Sequence, residues 1–290
     1  MCENLTIQRI AANNMYTTLI SEEALFEEYD NPDWIIFDVR YDLMDKNAGK
    51  DAYLQGHIPG AIYVDLHDDL SKAPSTNKGR HPLPTPATIN ALFCELGIRS
   101  NMQVVVYDDS AGSFAARLWW MLRYMQHKNV AVLDGGWQSW GDAKRPISQE
   151  AEPRVAAEFN NKVLEKNVIL IEDVENFEQI IDSRDPARYR GEIEPIDKAA
   201  GHIPGAKNRF WKDNLTEVGV FKPKQVLKQE FEQLLGQAKP ENVVFYCGSG
   251  VTACHNLLAV THAGLKLPKL YAGSWSEWSS TTGKPVATGI

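Results

Sequence analysis

The chain has 290 residues, of which 43% are hydrophobic and 23% are charged, a composition that is ordinary for a globular enzyme. Its formal net charge of −8 at pH 7 argues against nucleic acid or an anionic membrane surface as the main partner. At this length the chain can bury a large core, and two domains are favoured over one.

Cysteine usage and the first residues bear on metal binding and on compartment. Four cysteines without a C-x-x-C pair are too few and too scattered for a disulfide framework or a zinc site, so we expect no metal and no cofactor. Residues 1–5 lack the basic and apolar regions of a signal peptide, and no apolar run approaches the roughly 20 residues of a membrane span. These features predict a cytoplasmic protein without a membrane partner.

In chain order, the first half alternates short apolar runs with polar or amphipathic stretches. Residues 34–40 form an apolar run that ends in Asp-x-Arg, and residues 56–61 form a Gly-His-Ile-Pro-Gly-Ala turn. Residues 87–96 are amphipathic, residues 104–108 are an apolar run that ends in Tyr-Asp, and residues 134–140 begin with Asp-Gly-Gly-Trp. The apolar runs predict strands, and the amphipathic stretch predicts a helix.

A linker is predicted in the middle of the chain. Residues 141–161 carry Pro146, Pro153 and mixed charges without periodicity, which is typical of a connection between domains. We therefore expect an N-terminal domain at residues 1–143, a linker at residues 144–161 and a C-terminal domain at residues 162–290.

The second half repeats the first in the same order, at residues 179–184, 201–206, 243–247 and 272–278. Asp182 follows Asp38 by 144 residues, and Trp275 follows Trp137 by 138 residues. The order is preserved while the offset drifts slowly, as expected of a duplication with loop insertions.

The alternation of short apolar strands with amphipathic stretches, such as residues 87–96 and 225–235, predicts the fold class. We expect two α/β domains, each a mainly parallel sheet flanked by helices. In such sheets ligands bind where strands end and helices begin. Asp108 in the first half and Cys247 in the second half both lie at such an end.

The surroundings of Cys247 predict a reactive thiol. The cysteine follows a buried strand, and the glycine-rich residues 248–252 lead from it into a helix that closes at Gly264. Backbone N–H groups and the helix dipole converge at such a turn and favour a nucleophilic thiolate. No metal is needed for this activation.

The duplication also separates residues that serve the fold from candidates for chemistry. His57 and His202 occur in both halves, so we interpret them as structural. Cys247 has no counterpart, because Asp108 stands at the matching place. The N-terminal half is therefore predicted to be catalytically silent.

Together, the two repeats, the paired Gly-His-Ile-Pro-Gly turns, the single loop cysteine and the C-terminal Gly-Ser-Trp resemble the tandem-rhodanese sulfurtransferases over essentially the whole chain. Residues 247–252, Cys-Gly-Ser-Gly-Val-Thr, are similar to the loop of members that use 3-mercaptopyruvate. Members that prefer thiosulfate carry basic residues in place of Gly248 and Ser249. The resemblance implies two rhodanese-like domains. It also implies sulfur transfer from 3-mercaptopyruvate, a small anionic donor, through a Cys247 persulfide to thioredoxin, a small thiol or cyanide.

The resemblance further implies roles for individual residues. Cys247 would be the nucleophile, and Ser249 would form a proton relay with Asp65 and His81 of the other domain. Arg188 would bind the substrate carboxylate. Other loop residues would hold the charge on sulfur through their backbone N–H groups, namely Gly248, Gly250, Val251 and Thr252.

Plainer interpretations and rival functions stay open at this point. Cys247 is compatible with a buried structural thiol, Arg188 with a solvated surface charge, and Ser249 with a helix cap. Some mercaptopyruvate enzymes have a second arginine near residues 194–198, where this chain offers only Lys198. The alternative functions are a thiosulfate sulfurtransferase and a non-catalytic rhodanese-fold binding module. A Cys-x5-Arg phosphatase is disfavoured, because Ala253 stands where its arginine is needed.

Overall fold

The computed structural model describes residues 15–73 and 78–290, so Cys2 lies outside the described residues. Two parallel sheets, each flanked by helices, form two successive α/β units, and the predicted fold class is confirmed. Every strand pair within the two sheets is parallel. Within the described residues no helix is long and apolar enough to cross a membrane.

The N-terminal sheet has the strand order β1-β5-β4-β2-β3. Its strands are β1 (Leu19–Ile20), β2 (Trp34–Asp38), β3 (Ala61–Tyr63), β4 (Gln103–Tyr107) and β5 (Val130–Leu133). Its helices are α1 (Glu22–Glu28), α2 (Ala48–Gln55), α3 (Pro86–Glu95), α4 (Ala115–Tyr124) and α5 (Gly136–Asp142). The central strand β4 is buried along its whole length, which is why its sequence is a continuous apolar run.

The C-terminal sheet has the strand order β7-β6-β8-β9. Its strands are β6 (Gln179–Asp182), β7 (Lys207–Asn208), β8 (Val243–Tyr246) and β9 (Lys269–Leu270). Its helices are α6 (Pro186–Arg190), α7 (Lys224–Leu235), α8 (Ala253–His262) and α9 (Ser274–Trp278). The strand β8 is central and fully buried, and it ends directly before Cys247.

The duplication is visible in matching ion pairs at the strand ends. Arg40 bonds Asp38 at 2.6 Å, and Arg184 bonds Asp182 at 2.7 Å. Each arginine also donates to the carbonyl of the glycine that opens its Gly-His-Ile-Pro-Gly turn. The recurring Asp-x-Arg therefore fastens the turn to the end of the strand in both halves.

The paired histidines are structural in geometry. The His57 and His202 rings stack on Tyr53 and Tyr189 with centroid separations of 3.9 and 3.8 Å. Their Nδ1 atoms lie 2.7 and 2.8 Å from the carbonyl oxygens of those same tyrosines. Both histidines are buried and bonded to the backbone, and the His57 Nε2 also lies 3.1 Å from the Glu150 carbonyl oxygen, in keeping with the structural role that their duplication predicted.

The predicted linker is an irregular segment that lies against the N-terminal sheet and its helices. Ser148 pairs with His57 as an isolated bridge, and Phe159 is fully buried. Arg154 forms ion pairs with Asp69 at 2.6 Å and Glu95 at 2.8 Å. These contacts hold the segment on the surface of the N-terminal half.

The two halves share one hydrophobic core, which decides where the site lies. Helices α4 and α8 face each other, and Leu118 of α4 belongs to the same buried cluster as Leu257 and Leu258 of α8. Apart from Arg123, every residue of α4 is buried. Because α8 begins just after the Cys247 loop, this packing brings the N-terminal half against that loop.

Candidate active site

Cys247 lies at the carboxyl end of β8, in the loop that leads into α8. Its side chain is almost fully buried, and the Gly250 N–H donates to its sulfur at 3.1 Å. Gly250 has a φ of +75°, and a Cβ there would lie 2.4 Å from the Ala272 carbonyl oxygen. Only glycine fits this position, so the turn that aims an N–H at the sulfur depends on it.

A second turn, at residues 273–276, is hydrogen-bonded to the backbone of the Cys247 loop. Ser274 Oγ accepts the Cys247 N–H at 3.1 Å, and the N–H groups of Trp275 and Ser276 donate to the carbonyls of Cys247 and Gly248 at 2.9 Å. Ser274 has a φ of 56°, a left-handed conformation that is unfavourable for a residue with a Cβ. In the N-terminal half Gly136 holds the matching position with a φ of 57°.

Ser249 and His81 meet across the two halves. The Ser249 Oγ and the His81 Nδ1 are 2.9 Å apart, and both side chains are buried. Burial, reinforced by the charges of Arg117 and Arg80 and by His67, lowers the pKa of His81 to about 3. The imidazole is therefore neutral near pH 7 and can exchange a proton with the hydroxyl.

Asp65 does not join this pair. Its carboxylate accepts the N–H groups of His67 and Asp68 at 2.7 and 2.9 Å and the Tyr63 hydroxyl at 3.1 Å. Across residues 15–73 and 78–290, no hydrogen bond connects Asp65 to His81. The ring that faces His81 belongs to His67, at 6.5 Å between centroids with the two planes nearly perpendicular. The Asp65 carboxylate is bound by its own turn, so Asp65, the third member of the predicted relay, makes no hydrogen bond to the Ser249–His81 pair within the described residues.

Arg117 of α4 is a fully buried cation beside the loop. Its Nη1 donates to the Gly250 carbonyl at 3.0 Å, and its Nη2 lies 3.4 Å from the carbonyls of Leu70 and His81. Burial lowers its pKa, against the opposing influence of Cys254 and Cys247. No carboxylate pairs with it among the residues that the structure describes; its hydrogen-bond partners are backbone carbonyls.

Two arginines flank Gly248 beside the cysteine. A Cβ at Gly248 would lie 2.8 Å from Arg80 Nη2 and 3.7 Å from both terminal nitrogens of Arg188. Arg188 forms ion pairs with Glu194 at 2.6 Å and Asp197 at 3.0 Å, and Arg80 forms an ion pair with the same Asp197. Opposite charges thus fix both guanidinium groups at the edge of the loop.

These groups border a cavity of about 710 Å³ between the two halves. Of the residues singled out from sequence, the cavity is lined by Cys247, Gly248, Ser249, Val251, Thr252 and Arg188. Arg80 and Phe114 line it from the N-terminal half. Lys198 is exposed and lies outside the described lining, and Asp65 borders a different, N-terminal pocket.

The remaining loop residues differ from the second cysteine. Thr252 precedes α8 without making a side-chain cap and lines the cavity, whereas Gly250 donates its N–H to the Cys247 sulfur. Cys254 is fully buried and points its thiol at the Gly250 carbonyl, 3.4 Å away. Burial raises the pKa of Cys254 to about 12, so this thiol stays protonated and unreactive.

The loop at Asp108 shows what the same turn does in the other half. The Asp108 carboxylate accepts four backbone N–H groups, those of Ser110, Gly112, Phe114 and Ala115, at 2.8 to 2.9 Å. Asp108 is fully buried, and burial raises its pKa although the four N–H donors oppose that shift. The N–H groups of the N-terminal loop thus form an anion-binding site, and the Asp108 carboxylate occupies it.

Sequence reasoning missed Arg80, Arg117 and Ser274. Arg117 carried a signal, because it is a lone charge within the apolar run of residues 114–122. Ser274 also carried one, because it replaces Gly136 of the first half. Arg80 directly precedes His81, but nothing in the sequence indicated that it would reach Gly248.

A family model described as a rhodanese-like domain matches residues 21–143 and 164–281. The chain is 41% identical to a probable 3-mercaptopyruvate sulfurtransferase of Pseudomonas aeruginosa, over 93% of this chain and 98% of that one. It is 38% identical to a putative thiosulfate sulfurtransferase of Mycobacterium tuberculosis, over 88% and 90%.

Solved structures agree with these matches. A 3-mercaptopyruvate sulfurtransferase of Leishmania major superimposes with a TM-score of 0.84 at 30% identity, over 93% of this chain and 76% of that one. A 3-mercaptopyruvate sulfotransferase of Escherichia coli gives 0.77 at 34% identity, over 90% and 100%. The duplicated α/β fold, the loop cysteine between the halves and these matches together establish that the chain belongs to the rhodanese family and carries two rhodanese-like domains.

Proposed function

We propose that the protein is a 3-mercaptopyruvate sulfurtransferase that works through a persulfide on Cys247. The observation that carries this proposal is the meeting of three features at one cavity. The Cys247 sulfur accepts the Gly250 N–H, and Ser249 is hydrogen-bonded to His81. Cys247, Ser249 and Arg188 all line the cavity. The names of the Pseudomonas and Escherichia relatives support the same substrate.

The first half-reaction follows from these positions. The Cys247 thiolate attacks the sulfur of 3-mercaptopyruvate, an S–S bond forms, and the C–S bond breaks with its electron pair going to carbon. The carbon fragment leaves as the enolate of pyruvate and takes up one proton. In this proposal Ser249, hydrogen-bonded to the neutral His81, supplies that proton, and Arg188 binds the carboxylate.

The second half-reaction passes the outer sulfur to an acceptor. A thiolate, from thioredoxin or from a small thiol, attacks the outer sulfur, and Cys247 leaves as a thiolate. With cyanide as acceptor the product is thiocyanate. The persulfide anion needs the same N–H donor as the thiolate, so one loop serves both steps. In keeping with a thiol acceptor, we infer a cytoplasmic setting.

Thiosulfate is the competing donor, and the name of the Mycobacterium relative supports it. Three arginines near the loop, Arg80, Arg184 and Arg188, are paired with three buried carboxylates, Asp182, Glu194 and Asp197. Arg117, which donates to the Gly250 carbonyl, is the further cation beside the loop, and among the described residues no carboxylate pairs with it. A monoanionic carboxylate needs less positive charge than a dianion does. We therefore assign the higher kcat/KM to 3-mercaptopyruvate.

Side-by-side kinetics with the two donors, combined with intact-protein mass spectrometry, test this function. We expect a higher kcat/KM with 3-mercaptopyruvate and a gain of about 32 Da, one sulfur atom, on Cys247. Cys247→Ser should abolish turnover and the mass gain, and Cys254→Ser, the matched control, should keep both. Sulfur transfer by Cys247→Ser would overturn the mechanism, and a higher kcat/KM with thiosulfate would overturn the donor assignment.

A further inference from the structure

The loops that follow β4 and β8 each receive a hydrogen bond from the opposite half of the chain. Arg117, the third residue of α4, donates from Nη1 to the Gly250 carbonyl of the C-terminal loop at 3.0 Å. His255, the third residue of α8, has its Nε2 3.1 Å from the Ala111 carbonyl of the N-terminal loop. Each of the two helices therefore holds the loop of the other half.

The two carbonyls occupy equivalent positions in their loops. Ala111 follows Asp108 by three residues, as Gly250 follows Cys247. Both residues have a left-handed backbone, with φ values of 54° and 75°. The two contacts are therefore equivalent, and they differ in the side chain that donates.

The two donors differ in charge. Burial lowers the pKa of His255 to about 3, so its imidazole is neutral near pH 7. The Asn214 amide lies 3.2 Å from its Nδ1, so the proton is on Nε2, which donates to the Ala111 carbonyl. Arg117 is fully buried, yet an arginine keeps its charge near pH 7. A neutral donor is sufficient for this contact in the N-terminal loop, so the charge of Arg117 is not required for the contact itself.

The charge of Arg117 lacks a resident counter-charge. Burying a cation is costly unless an anion is near it. Among the described residues no carboxylate pairs with Arg117, and Cys254 is protonated because burial raises its pKa to about 12. Burial lowers the pKa of Arg117, and the thiols of Cys254 and Cys247 oppose that shift. Of these two thiols, Cys247 is the one that lines the cavity and can react as an anion.

We propose that Arg117 is a positioning residue for sulfur transfer: it holds the Gly250 peptide at the Cys247 sulfur and supplies a buried positive charge that favours the thiolate and the persulfide anion. Gly250 links the two groups, because its N–H donates to the sulfur at 3.1 Å and its carbonyl accepts from Arg117. This inference rests on the proposed function, since it requires Cys247 to react as an anion.

The other charged and titratable groups around the loop are already neutral or paired. The arginines that border the cavity each form ion pairs with carboxylates, namely Arg80, Arg184 and Arg188. His81 is neutral near pH 7, because burial lowers its pKa to about 3. Removing the charge of Arg117 should therefore have a direct effect on the thiolate fraction of Cys247.

The test follows the alkylation of Cys247 by iodoacetamide as a function of pH, read by mass spectrometry of the peptide that contains it. Arg117→Gln removes the charge and keeps an amide donor. The pH of half-maximal alkylation should rise by about one unit, which is a tenfold smaller thiolate fraction at lower pH. The maximal rate at high pH should change by less than about 3-fold. In parallel, kcat/KM for 3-mercaptopyruvate should fall about 10-fold at pH 7 and recover as the pH rises.

His255→Gln is the matched control, because it changes the equivalent contact on the N-terminal loop. It should leave the pH of half-maximal alkylation of Cys247 unchanged, and a shift as large as that of Arg117→Gln would refute the assignment. A loss of equal size at every pH in Arg117→Gln would show that Arg117 only shapes the loop, and would overturn the role of its charge.

A second variant decides the question if Arg117→Gln does not fold. Cys254 is a hydrogen-bonding neighbour of Arg117, so Cys254→Asp places a carboxylate beside the cation and neutralises it while Arg117 stays in place. The pH of half-maximal alkylation of Cys247 should again rise by about one unit, and Cys254→Asn should leave it unchanged. An unchanged value in Cys254→Asp would refute the role of the charge.

Alkylation needs no sulfur donor, so it separates this inference from the proposed function. Normal transfer from 3-mercaptopyruvate in Arg117→Gln, with an unshifted alkylation profile, would refute the role of Arg117 alone. A shifted alkylation profile in a protein that transfers no sulfur from 3-mercaptopyruvate would support the role of Arg117 and refute the proposed reaction.

Discussion

Asp108 and Cys247 directly follow the central strands β4 and β8 at equivalent positions, and the loop after each residue donates backbone N–H to its side chain. Asp108 saturates its loop with a carboxylate that accepts four N–H groups. Cys247 receives one, from Gly250, and faces an open cavity. The same turn thus gives a closed site in one half and a thiol that borders a cavity in the other.

The filled N-terminal loop should be a large contributor to stability. Asp108→Asn replaces one accepting oxygen by an amide NH₂, which sets donors against the N–H groups of the loop. We expect the free energy of unfolding to fall by about 2–4 kcal/mol, because buried N–H donors lose their acceptor. Urea titration at pH 7 measures this, with the exposed neighbour in Asp109→Asn as control. A loss no larger than that of the control contradicts the prediction.

The contact between Ser249 and His81 should govern the proton step. His81→Gln should lower kcat with 3-mercaptopyruvate about 100-fold, the low end for general acid–base catalysis, with little change in KM. Asp65→Asn provides the comparison. If Asp65 completes the relay, as the sequence suggested, its loss should approach that of His81→Gln. The observed contacts predict a change below about 3-fold, since the carboxylate serves its own turn.

Two buried histidines should make the protein sensitive to acid. Burial lowers the pKa of His81 and of His255 to about 3, from an ordinary value of 6.5. Between these limits the unfolded chain binds protons that the folded chain does not, so the free energy of unfolding rises with pH in this window. The stability that the two neutral histidines contribute is therefore lost as the pH falls from about 6.5 towards 3.

Urea titrations at pH 7 and pH 4 check this dependence. His255→Gln cannot take up the proton, so the decrease between the two pH values should be smaller than in the wild type. The His255 Nε2 lies 3.1 Å from the Ala111 carbonyl, so the variant will also lose some stability at both pH values. The difference between the two pH values is the informative quantity, and an unchanged difference would rule out His255 as a contributor.

Ser274 combines strain with support of the cysteine. Ser274→Gly removes the Cβ from a left-handed position, which relieves about 1–2 kcal/mol of backbone strain, but it also removes the acceptor of the Cys247 N–H. We expect kcat/KM for 3-mercaptopyruvate to fall about 10-fold with little loss of thermal stability. Ser274→Ala keeps the strain and loses the acceptor, so it should be both less active and less stable. Full activity in the glycine variant would show that the hydroxyl is dispensable.

The fold was predictable because the sequence contains it twice. The Asp-x-Arg at the strand ends and the Gly-His-Ile-Pro-Gly turns recur with the same contacts, so the pattern in one half supports the other. The Cys247 loop stood out for the opposite reason, because Cys247 breaks the repeat, and the structure places this loop at the cavity between the halves. Not every recurring residue is equally buried: Trp140, Trp275 and Trp278 are fully buried, whereas Trp137 is partly exposed and packs on Arg40.

The rest of the site depends on contacts between the halves, which no local pattern encodes. Arg80 and His81 reach the loop only because α4 packs on α8. The role of Asp65 was implied by the family resemblance, but the carboxylate is occupied by the N–H groups of the turn that follows it. A sequence pattern identifies the residue type, but it does not show which N–H groups of the folded chain will occupy a carboxylate.

The hydrogen bonds of Arg117 make the two halves of the gene depend on each other. Arg117 belongs to the N-terminal half and donates to the Gly250 carbonyl of the C-terminal half. His81, also of the N-terminal half, is hydrogen-bonded to Ser249. A truncated gene that encoded only the cysteine-bearing half would lack both side chains. The half that carries Asp108 therefore contributes to the Cys247 loop through Arg117 and His81, which the other half cannot replace.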